Sequence, residues 1–170
     1  DMRKQGFGSG ITAAPNGVAL SADADSQRTQ IDAVKVGLAG AVSNFVYMTR
    51  FGWTDRADAT TGYTTNPTEA ISYVDAHDNE TLYDSITYKL PISTSMEKRI
   101  RYQILSMAIP VMGQGIPFTL AGSDFLRSKS LDRDSYNSSD WFNAIDWNFG
   151  TNGFGRGVPP KLANESVQDP

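Results

Sequence analysis

Helix-like and strand-like segments alternate along this chain, and that alternation limits the folds open to it. Apolar residues recur at helical spacing over residues 26–45, and a second helix is predicted over residues 94–110. Short β-prone apolar runs follow each helix, at residues 71–74 and 116–120. The order helix, strand, helix, strand predicts α/β units around a parallel sheet. Two strands and two helices cannot close a barrel, so we expect the chain to be part of a larger structure.

Local sequence signals set the expected ends of these elements. The first helix carries its apolar residues on one side and has three candidate caps: Ile31, Val34, Leu38, Val42 and Phe45, with Asp23, Asp25 and Ser26. The second begins at a capping box, Thr94-Ser95-Met96-Glu97, and is expected to end at Pro110. The strand over residues 71–74 is predicted to be buried. Residues 1–20 are predicted to form an irregular loop, and residues 46–68 a long connection.

Composition excludes several classes of function. The 170 residues carry a formal net charge of −4 with both signs interspersed, so no basic face is available for nucleic acid. No apolar run is long enough to cross a membrane, which argues against a membrane partner. The absence of cysteine removes disulfides and thiolate metal sites. Composition alone therefore indicates a soluble globular protein and no particular activity.

The polar cluster after the first predicted strand is the strongest candidate site. It contains the only histidine, His77, followed directly by Asp78 and Asn79. A lone histidine is commonly a packed, hydrogen-bonded residue, but parallel α/β proteins build their sites at the C-terminal ends of strands. One histidine without cysteine makes a poor transition-metal site. A fixed carboxylate beside a histidine suits sugar chemistry, because the oxocarbenium-like transition state gains positive charge.

The same cluster resembles a family motif. Tyr73-Val74-Asp75-Ala76-His77-Asp78-Asn79, followed by Glu80-Thr81-Leu82, is similar to the fourth conserved region of the α-amylase superfamily in its pullulanase form. Further segments agree in order: Gln5-Gly6-Phe7-Gly8-Ser9-Gly10, Val36-Gly37-Leu38-Ala39-Gly40, Gly62-Tyr63 through Pro67, Gly113-Gln114-Gly115-Ile116-Pro117-Phe118 and Ala121-Gly122-Ser123-Asp124. Two more agree as well: Leu126-Arg127-Ser128-Lys129-Ser130, and Arg133-Asp134-Ser135-Tyr136 through Asp140-Trp141-Phe142-Asn143. Their Arg-Ser-Lys-Ser and Arg-Asp-Ser-Tyr parts resemble pullulanases and limit dextrinases in particular. The likeness extends to about Trp147.

The resemblance implies a fold and a set of residue roles. The chain would be the C-terminal part of a (β/α)8 TIM barrel, from about helix 6 to strand 8 and its following loop, with residues 148–170 an irregular stretch of the same domain. Asp78 would be the transition-state-stabilising carboxylate of a retaining glycoside hydrolase that cleaves α-1,6 branch linkages in pullulan, starch and limit dextrins. The residues implied to bind substrate are His77, Asn79, Arg133, Asp134 and Tyr136. Trp141 and Phe142 could stack on sugar rings or anchor the core.

Two catalytic groups of the family are missing from this sequence. The nucleophilic Asp of a Phe-Arg-Phe-Asp-like strand and the acid/base Glu of a Gly-Glu-Gly-Trp-like strand are both absent. Asp78 alone cannot run a retaining cycle, so the chain by itself is expected to be inactive and to need the remainder of the barrel, in the same or other chains. An isoamylase-like or other amylase-superfamily debranching enzyme and a non-catalytic glucan-binding fragment remain alternatives. No cofactor is required, although a structural calcium ion in the parent enzyme is compatible with the family. A secreted or cell-surface bacterial location is implied, with a cytoplasmic one left open.

Overall fold

The computed structural model describes residues 6–10, 24–160 and 164. Its helices and strands are α1 (Ala24–Leu38), β1 (Val46–Met48), β2 (Thr54–Arg56), β3 (Ile71–Ser72), α2 (Leu82–Lys89), α3 (Met96–Met112), β4 (Ile116–Pro117) and α4 (Ser139–Asn143). Three single 3-10 turns lie at Phe7–Ser9, Pro67–Glu69 and Ser123–Phe125. The predicted cap Asp23 and most of the predicted N-terminal loop lie outside the described residues.

The two predicted strands pair in parallel, as the alternation of elements indicated. Ile71 lies opposite Ile116 and Ser72 opposite Pro117, and the connection between the strands contains α2 and α3. Both strands are shorter than predicted. The prediction that the first strand is buried was wrong, because Ile71 is 60% exposed. In the second strand, Ile116 is 49% exposed. Both strands lack a second neighbour among the described residues. Apolar side chains of this parallel pair therefore face open space in this chain.

Helix α2 supplies the best-packed apolar cluster and was not predicted. Its buried residues Leu82 and Ile86, with Leu90 just after it, recur every four positions and so share one face. This face packs against Tyr102 and Met107 of α3. The helix begins at Thr81, whose hydroxyl accepts a hydrogen bond from the Asp84 backbone N–H at 3.2 Å. An N-cap threonine before an apolar repeat of four residues is a local signal that predicts such a helix.

Helix α1 ends at Leu38, so the prediction that it continued to Phe45 was wrong. Gly40, at φ +79°, donates its N–H to the carbonyl of Gly37, and Ala41 donates to the carbonyl of Val36. These two bonds form a Schellman motif, which terminates a helix by turning the chain into the left-handed region. Val42 then pairs with Thr64 in an isolated parallel bridge instead of extending the helix.

We expect Gly40→Ala to destabilise the intact protein, because a Cβ here is strained by the left-handed backbone and would meet the Pro67 Cβ at 2.5 Å. The left-handed conformation alone costs an L-residue about 1–2 kcal/mol, and the contact adds to it. Gly37→Ala is the matched control, since its Cβ would meet nothing within 4 Å in an exposed helical position. That control should gain about 0.5–1 kcal/mol. Thermal unfolding midpoints measure both, and a stable Gly40→Ala protein would contradict the assignment of this motif.

Three further boundaries differ from the sequence-based expectation. The predicted long connection contains an antiparallel hairpin, in which Val46 pairs with Arg56. Helix α3 is capped by Ser95, whose hydroxyl accepts from the Lys98 N–H, rather than by Thr94. The helix also passes through Pro110 and ends at Met112. A proline removes one hydrogen bond of a helix without always ending it, and here the next turn closes with Gly113 N–H donating to the Ile109 carbonyl at 3.1 Å.

The interior is unusually polar. Among the described residues, more buried positions carry polar or charged side chains than apolar ones. Many of these polar groups lie in the segment that follows β4, where side-chain hydrogen bonds hold long stretches of irregular backbone. No helix in the described ranges has the length and apolar character needed to cross a bilayer.

Candidate functional site

The turn at residues 77–79 follows β3 and is anchored at its base by Asp75. This buried carboxylate accepts hydrogen bonds from the Leu82 backbone N–H at 3.0 Å and from the Ser123 hydroxyl. It therefore connects the end of β3 to the start of α2 and to the 3-10 turn after β4. Asn79 adopts φ +60°, a left-handed conformation that asparagine tolerates better than most residues. The polar cluster predicted from sequence is thus a turn with a defined backbone.

A second wall of the site is formed by the loop after β4, which is anchored to α2 by Asp84. This fully buried carboxyl group accepts hydrogen bonds from the Ser128 hydroxyl and from the Lys129 backbone N–H, the latter at 2.7 Å. Burial raises the pKa of Asp84, while the hydrogen bonds from Ser128 and Lys129 act in the opposite direction. The Arg-Ser-Lys-Ser segment noted in the sequence is therefore held against the helix that follows the candidate site.

Two cationic side chains of this loop reach back to the turn. Lys129 Nζ donates to the backbone carbonyl of His77 at 3.1 Å, and Arg133 donates a guanidinium N–H to Asn79 Oδ1 at 2.9 Å. Burial lowers the pKa of Lys129, and the attraction of Asp132 partly offsets that effect. The two walls are thus joined by direct hydrogen bonds across more than fifty residues of sequence.

Asp132 orders the part of the loop that carries Arg133 and Asp134. Its fully buried carboxylate accepts from the Asp134 backbone N–H at 2.9 Å and from Asn164 Nδ2 at 3.0 Å. Asn164 in turn accepts from the Arg133 backbone N–H at 3.0 Å. These bonds fix the backbone of both candidate residues without using their side chains. The Arg133 guanidinium is then held by Asn79, while the Asp134 carboxylate lines the cleft.

The two walls enclose an open cleft of about 360 Å³. Its lining comprises His77, Asp78, Leu120, Arg127, Lys129, Arg133, Asp134, Ser135, Tyr136 and Asn143. The side chains of His77 and Asp78 are 83% and 78% exposed, and His77 Nε2 lies 3.4 Å from Asp78 Oδ2. Tyr136 is also largely exposed. The catalytic candidate therefore points to a space that a ligand can enter.

The structure brings five of the six candidate site residues together in this cleft. They are His77, Asp78, Arg133, Asp134 and Tyr136. Asn79 does not line it and instead contacts Arg133. Trp141 and Phe142 also lie outside the lining: Arg156 lies over the Trp141 ring, and the Phe142 ring occupies the space where a Cβ on Gly157 would lie.

Sequence reasoning missed several residues of this cleft. Lys129, Arg127 and Asn143 line it. Lys129 and Arg127 belong to the Arg-Ser-Lys-Ser segment, so the motif was recognised without its place in the site. Asn143 is half-buried in a local network, where it accepts from the Ser135 hydroxyl at 2.8 Å and donates to the Ser135 carbonyl at 2.7 Å. No short sequence pattern announces such a contact.

The chemistry open to this cleft is binding and charge stabilisation. Two carboxylates and three cationic side chains line it, and such donors and acceptors suit a neutral ligand rich in hydroxyl groups. Within the described part of the chain no three acidic or histidine side chains cluster closely enough to hold a metal ion. Asp78 can stabilise a positive charge that develops on a bound ligand. A retaining displacement would need two carboxyl groups besides Asp78, roughly 5 Å apart. Among the described residues, the lining of this cleft supplies Asp134 but no such pair.

Comparison with known proteins places this arrangement in a defined context. No family model matches the chain. The chain is 40% identical over 173 residues to a pullulanase of Klebsiella aerogenes, covering 98% of this chain and 16% of that protein. It is 40% identical over 172 residues to the chloroplastic pullulanase 1 of Arabidopsis thaliana, covering 95% of this chain and 18% of that protein. The crystal structure of Klebsiella pneumoniae pullulanase complexed with maltotriose matches with a TM-score of 0.88 at 37% identity, over 98% of this chain and 17% of that one. The chain thus spans less than a fifth of the length of the relatives it matches.

Proposed function

Because the chain corresponds in sequence and fold to one segment of the pullulanases, we propose that it is part of a retaining glycoside hydrolase that cleaves α-1,6-glucosidic branch linkages. The substrates would be pullulan, starch and limit dextrins. The observation that carries this proposal is the convergence of His77, Asp78, Arg133, Asp134 and Tyr136 on one open cleft. These residues come from two motifs more than fifty positions apart in the sequence.

The proposed place of this segment in the whole enzyme is the C-terminal part of a (β/α)8 barrel. Helix α1 would be the sixth barrel helix, β3 and β4 the seventh and eighth strands, and α3 the helix between them. The parallel pairing of β3 with β4 through a helical connection supports this placement. The exposure of Ile71 and Ile116 also supports it, because neighbouring barrel strands would cover such side chains.

The proposed roles follow from charge and position. Asp78 would stabilise the oxocarbenium-like transition state and bind hydroxyls of the same glucose, and His77 would donate to that sugar. Asp134, Tyr136 and Arg133 would form the opposite wall of the glucan cleft. The role of Asn79 would be indirect, since its side chain accepts from Arg133 instead of facing the cleft.

The remaining catalytic groups would come from outside this segment. The nucleophilic Asp and the acid/base Glu would lie upstream in the parent enzyme, and the partner of this chain would be the remainder of the barrel. One partial barrel domain over residues 1–170, with an irregular stretch over 148–170, stays a prediction. A secreted or cell-surface location also stays a prediction, because one relative is a chloroplastic protein of Arabidopsis thaliana.

The proposed function predicts that the intact protein releases maltotriose from pullulan with retained anomeric configuration, whereas residues 1–170 alone release none. The fragment lacks the two carboxyl groups of the displacement. Chromatography measures the released sugar, and proton NMR measures its initial anomer. Faster hydrolysis of α-1,6 linkages in glycogen than in pullulan would favour the isoamylase-like alternative. Maltotriose binding by an intact protein that hydrolyses neither polymer would favour a non-catalytic glucan-binding role and contradict the proposal.

A further inference from the structure

We propose that Lys129 is a positioning residue, whose ammonium group holds the turn at residues 77–79 in the conformation that presents Asp78 to the cleft. The inference deepens the proposed function and rests on it. Lys129 Nζ donates to the carbonyl oxygen of His77 at 3.1 Å, and this carbonyl belongs to the peptide group that joins His77 to Asp78. A charge-assisted bond to that oxygen restricts the orientation of the peptide plane, and therefore the position of the Asp78 Cα.

The burial of Lys129 requires an explanation of this kind. The residue is 3% exposed, whereas lysine is almost never fully buried unless it is paired. Acidic side chains of two elements attract its charge: Asp132 of the same loop and Asp84 and Glu80 of the α2 region, with Arg127 opposing them. Its backbone N–H is also bound by Asp84. The Lys129 backbone is therefore held by α2, and its ammonium group is held by the His77 carbonyl.

A second bond holds the other end of the same turn. Arg133 donates to Asn79 Oδ1 at 2.9 Å, and Asn79 occupies the left-handed region at φ +60°. Lys129 and Arg133 thus hold the residues on either side of Asp78. Neither bond uses the side chain of His77 or Asp78, which leaves both free for a ligand. A tether with this property can align a catalytic carboxylate without competing for it.

The decisive experiment is a double-mutant cycle in the intact protein that joins Lys129→Met to Asp78→Asn. Lys129→Met is expected to lower kcat on pullulan by roughly 10- to 100-fold with a smaller change in KM, since misplacing a catalytic group by about 1 Å has effects of this size. In the Asp78→Asn background the same change should lower kcat by less than about threefold, because the group that Lys129 positions is already disabled. Equal losses in both backgrounds would overturn the inference, as would a folded Lys129→Met protein with normal kcat.

Conservative and control variants keep the test informative if Lys129→Met does not fold. Lys129→Arg retains the charge and the donor, and should keep kcat within a few-fold of wild type if it folds. Lys129→Gln retains a shorter, neutral donor, and its kcat should lie between those of Lys129→Arg and Lys129→Met. Lys98→Met, in an exposed position of α3, is the matched control and should leave kcat and KM unchanged. A lower kcat for Lys129→Arg than for Lys129→Gln, with both variants folded, would contradict a charge-assisted tether.

Hydrogen exchange separates this inference from the proposed function. Backbone amides of residues 77–80 should exchange roughly tenfold faster in Lys129→Met or Lys129→Gln than in wild type or Lys98→Met, because the turn loses one of its two bonds. This readout needs no substrate. An intact protein that does not cleave pullulan but shows the faster exchange would refute the proposed function and retain the tether. Unchanged exchange at residues 77–80 would refute the tether, whatever the enzyme does.

Discussion

Under the proposed function, Asp78→Asn in the intact protein is expected to lower kcat on pullulan by roughly 10²- to 10³-fold, the loss that follows removal of one preorganised electrostatic group from an active site. The amide keeps nearly the same shape but carries no negative charge toward the anomeric carbon. The cleft walls do not depend on this side chain, since their hydrogen bonds run through Asp75, Asp84, Lys129 and Arg133. We therefore expect turnover to fall while the fold persists.

The measurement is steady-state hydrolysis of pullulan together with maltotriose affinity by calorimetry. Affinity should fall far less than kcat, because a charge that acts mainly in the transition state contributes little to ground-state binding. Asp55→Asn is the matched control: this exposed residue of β2 accepts the Arg56 backbone N–H and lies outside the cleft. Turnover near that of wild type for Asp78→Asn would remove Asp78 from the catalytic groups.

Asp84→Ala should be the most destabilising single change at the cleft, with a loss of about 3–5 kcal/mol in the free energy of unfolding. The substitution leaves the Ser128 hydroxyl and the Lys129 backbone N–H without their acceptor in a buried environment, and each such group costs about 1–3 kcal/mol. It also removes one of the negative charges that attract the buried Lys129 ammonium. The second wall of the cleft would then lose its link to α2.

Chemical denaturation of the intact protein, followed by a probe of this segment such as hydrogen exchange of residues 126–136, measures the loss. Asp84→Asn should be less severe, because its amide oxygen still accepts one of the two hydrogen bonds. Asp124→Ala, an exposed acid of the 3-10 turn after β4, controls for general effects of removing a negative charge. If Asp84→Ala and Asp124→Ala had similar stability, the loop would not depend on this buried carboxyl group.

Patterns that act over a few residues were readable from the sequence. The apolar runs before His77 and after Gly115 predicted two strands in parallel, and the pairing of Ile71 with Ile116 confirms them. Motif resemblance identified the segment, and the match to pullulanases confirms it. Helix α2 was equally readable, since Thr81 and the repeat of Leu82, Ile86 and Leu90 are local signals, but it was overlooked. The predicted end of α1, at Phe45, lies beyond the observed end at Leu38. Apolar residues continue at helical spacing past Gly40, so spacing alone does not mark the end of this helix.

Long-range contacts were not readable. Nothing near Lys129 in the sequence says that its ammonium group binds the carbonyl of His77, 52 positions earlier. The burial of strands also depends on neighbours, which is why Ile71 is exposed here despite its apolar context. Hydrogen bonds such as that from Ser128 to Asp84 join residues whose types are common and whose spacing follows no period.

The sequence by itself determined the alternation of helices and parallel strands, the identity of the motifs and the residues that could carry chemistry. Only the tertiary structure decided that His77, Asp78, Arg133, Asp134 and Tyr136 share one cleft and that Asn79 lies behind it. The physical reason is one of range. Helix periodicity, capping and turns depend on neighbours within a few residues, whereas this cleft is held by buried charges and hydrogen bonds whose partners lie some fifty residues apart.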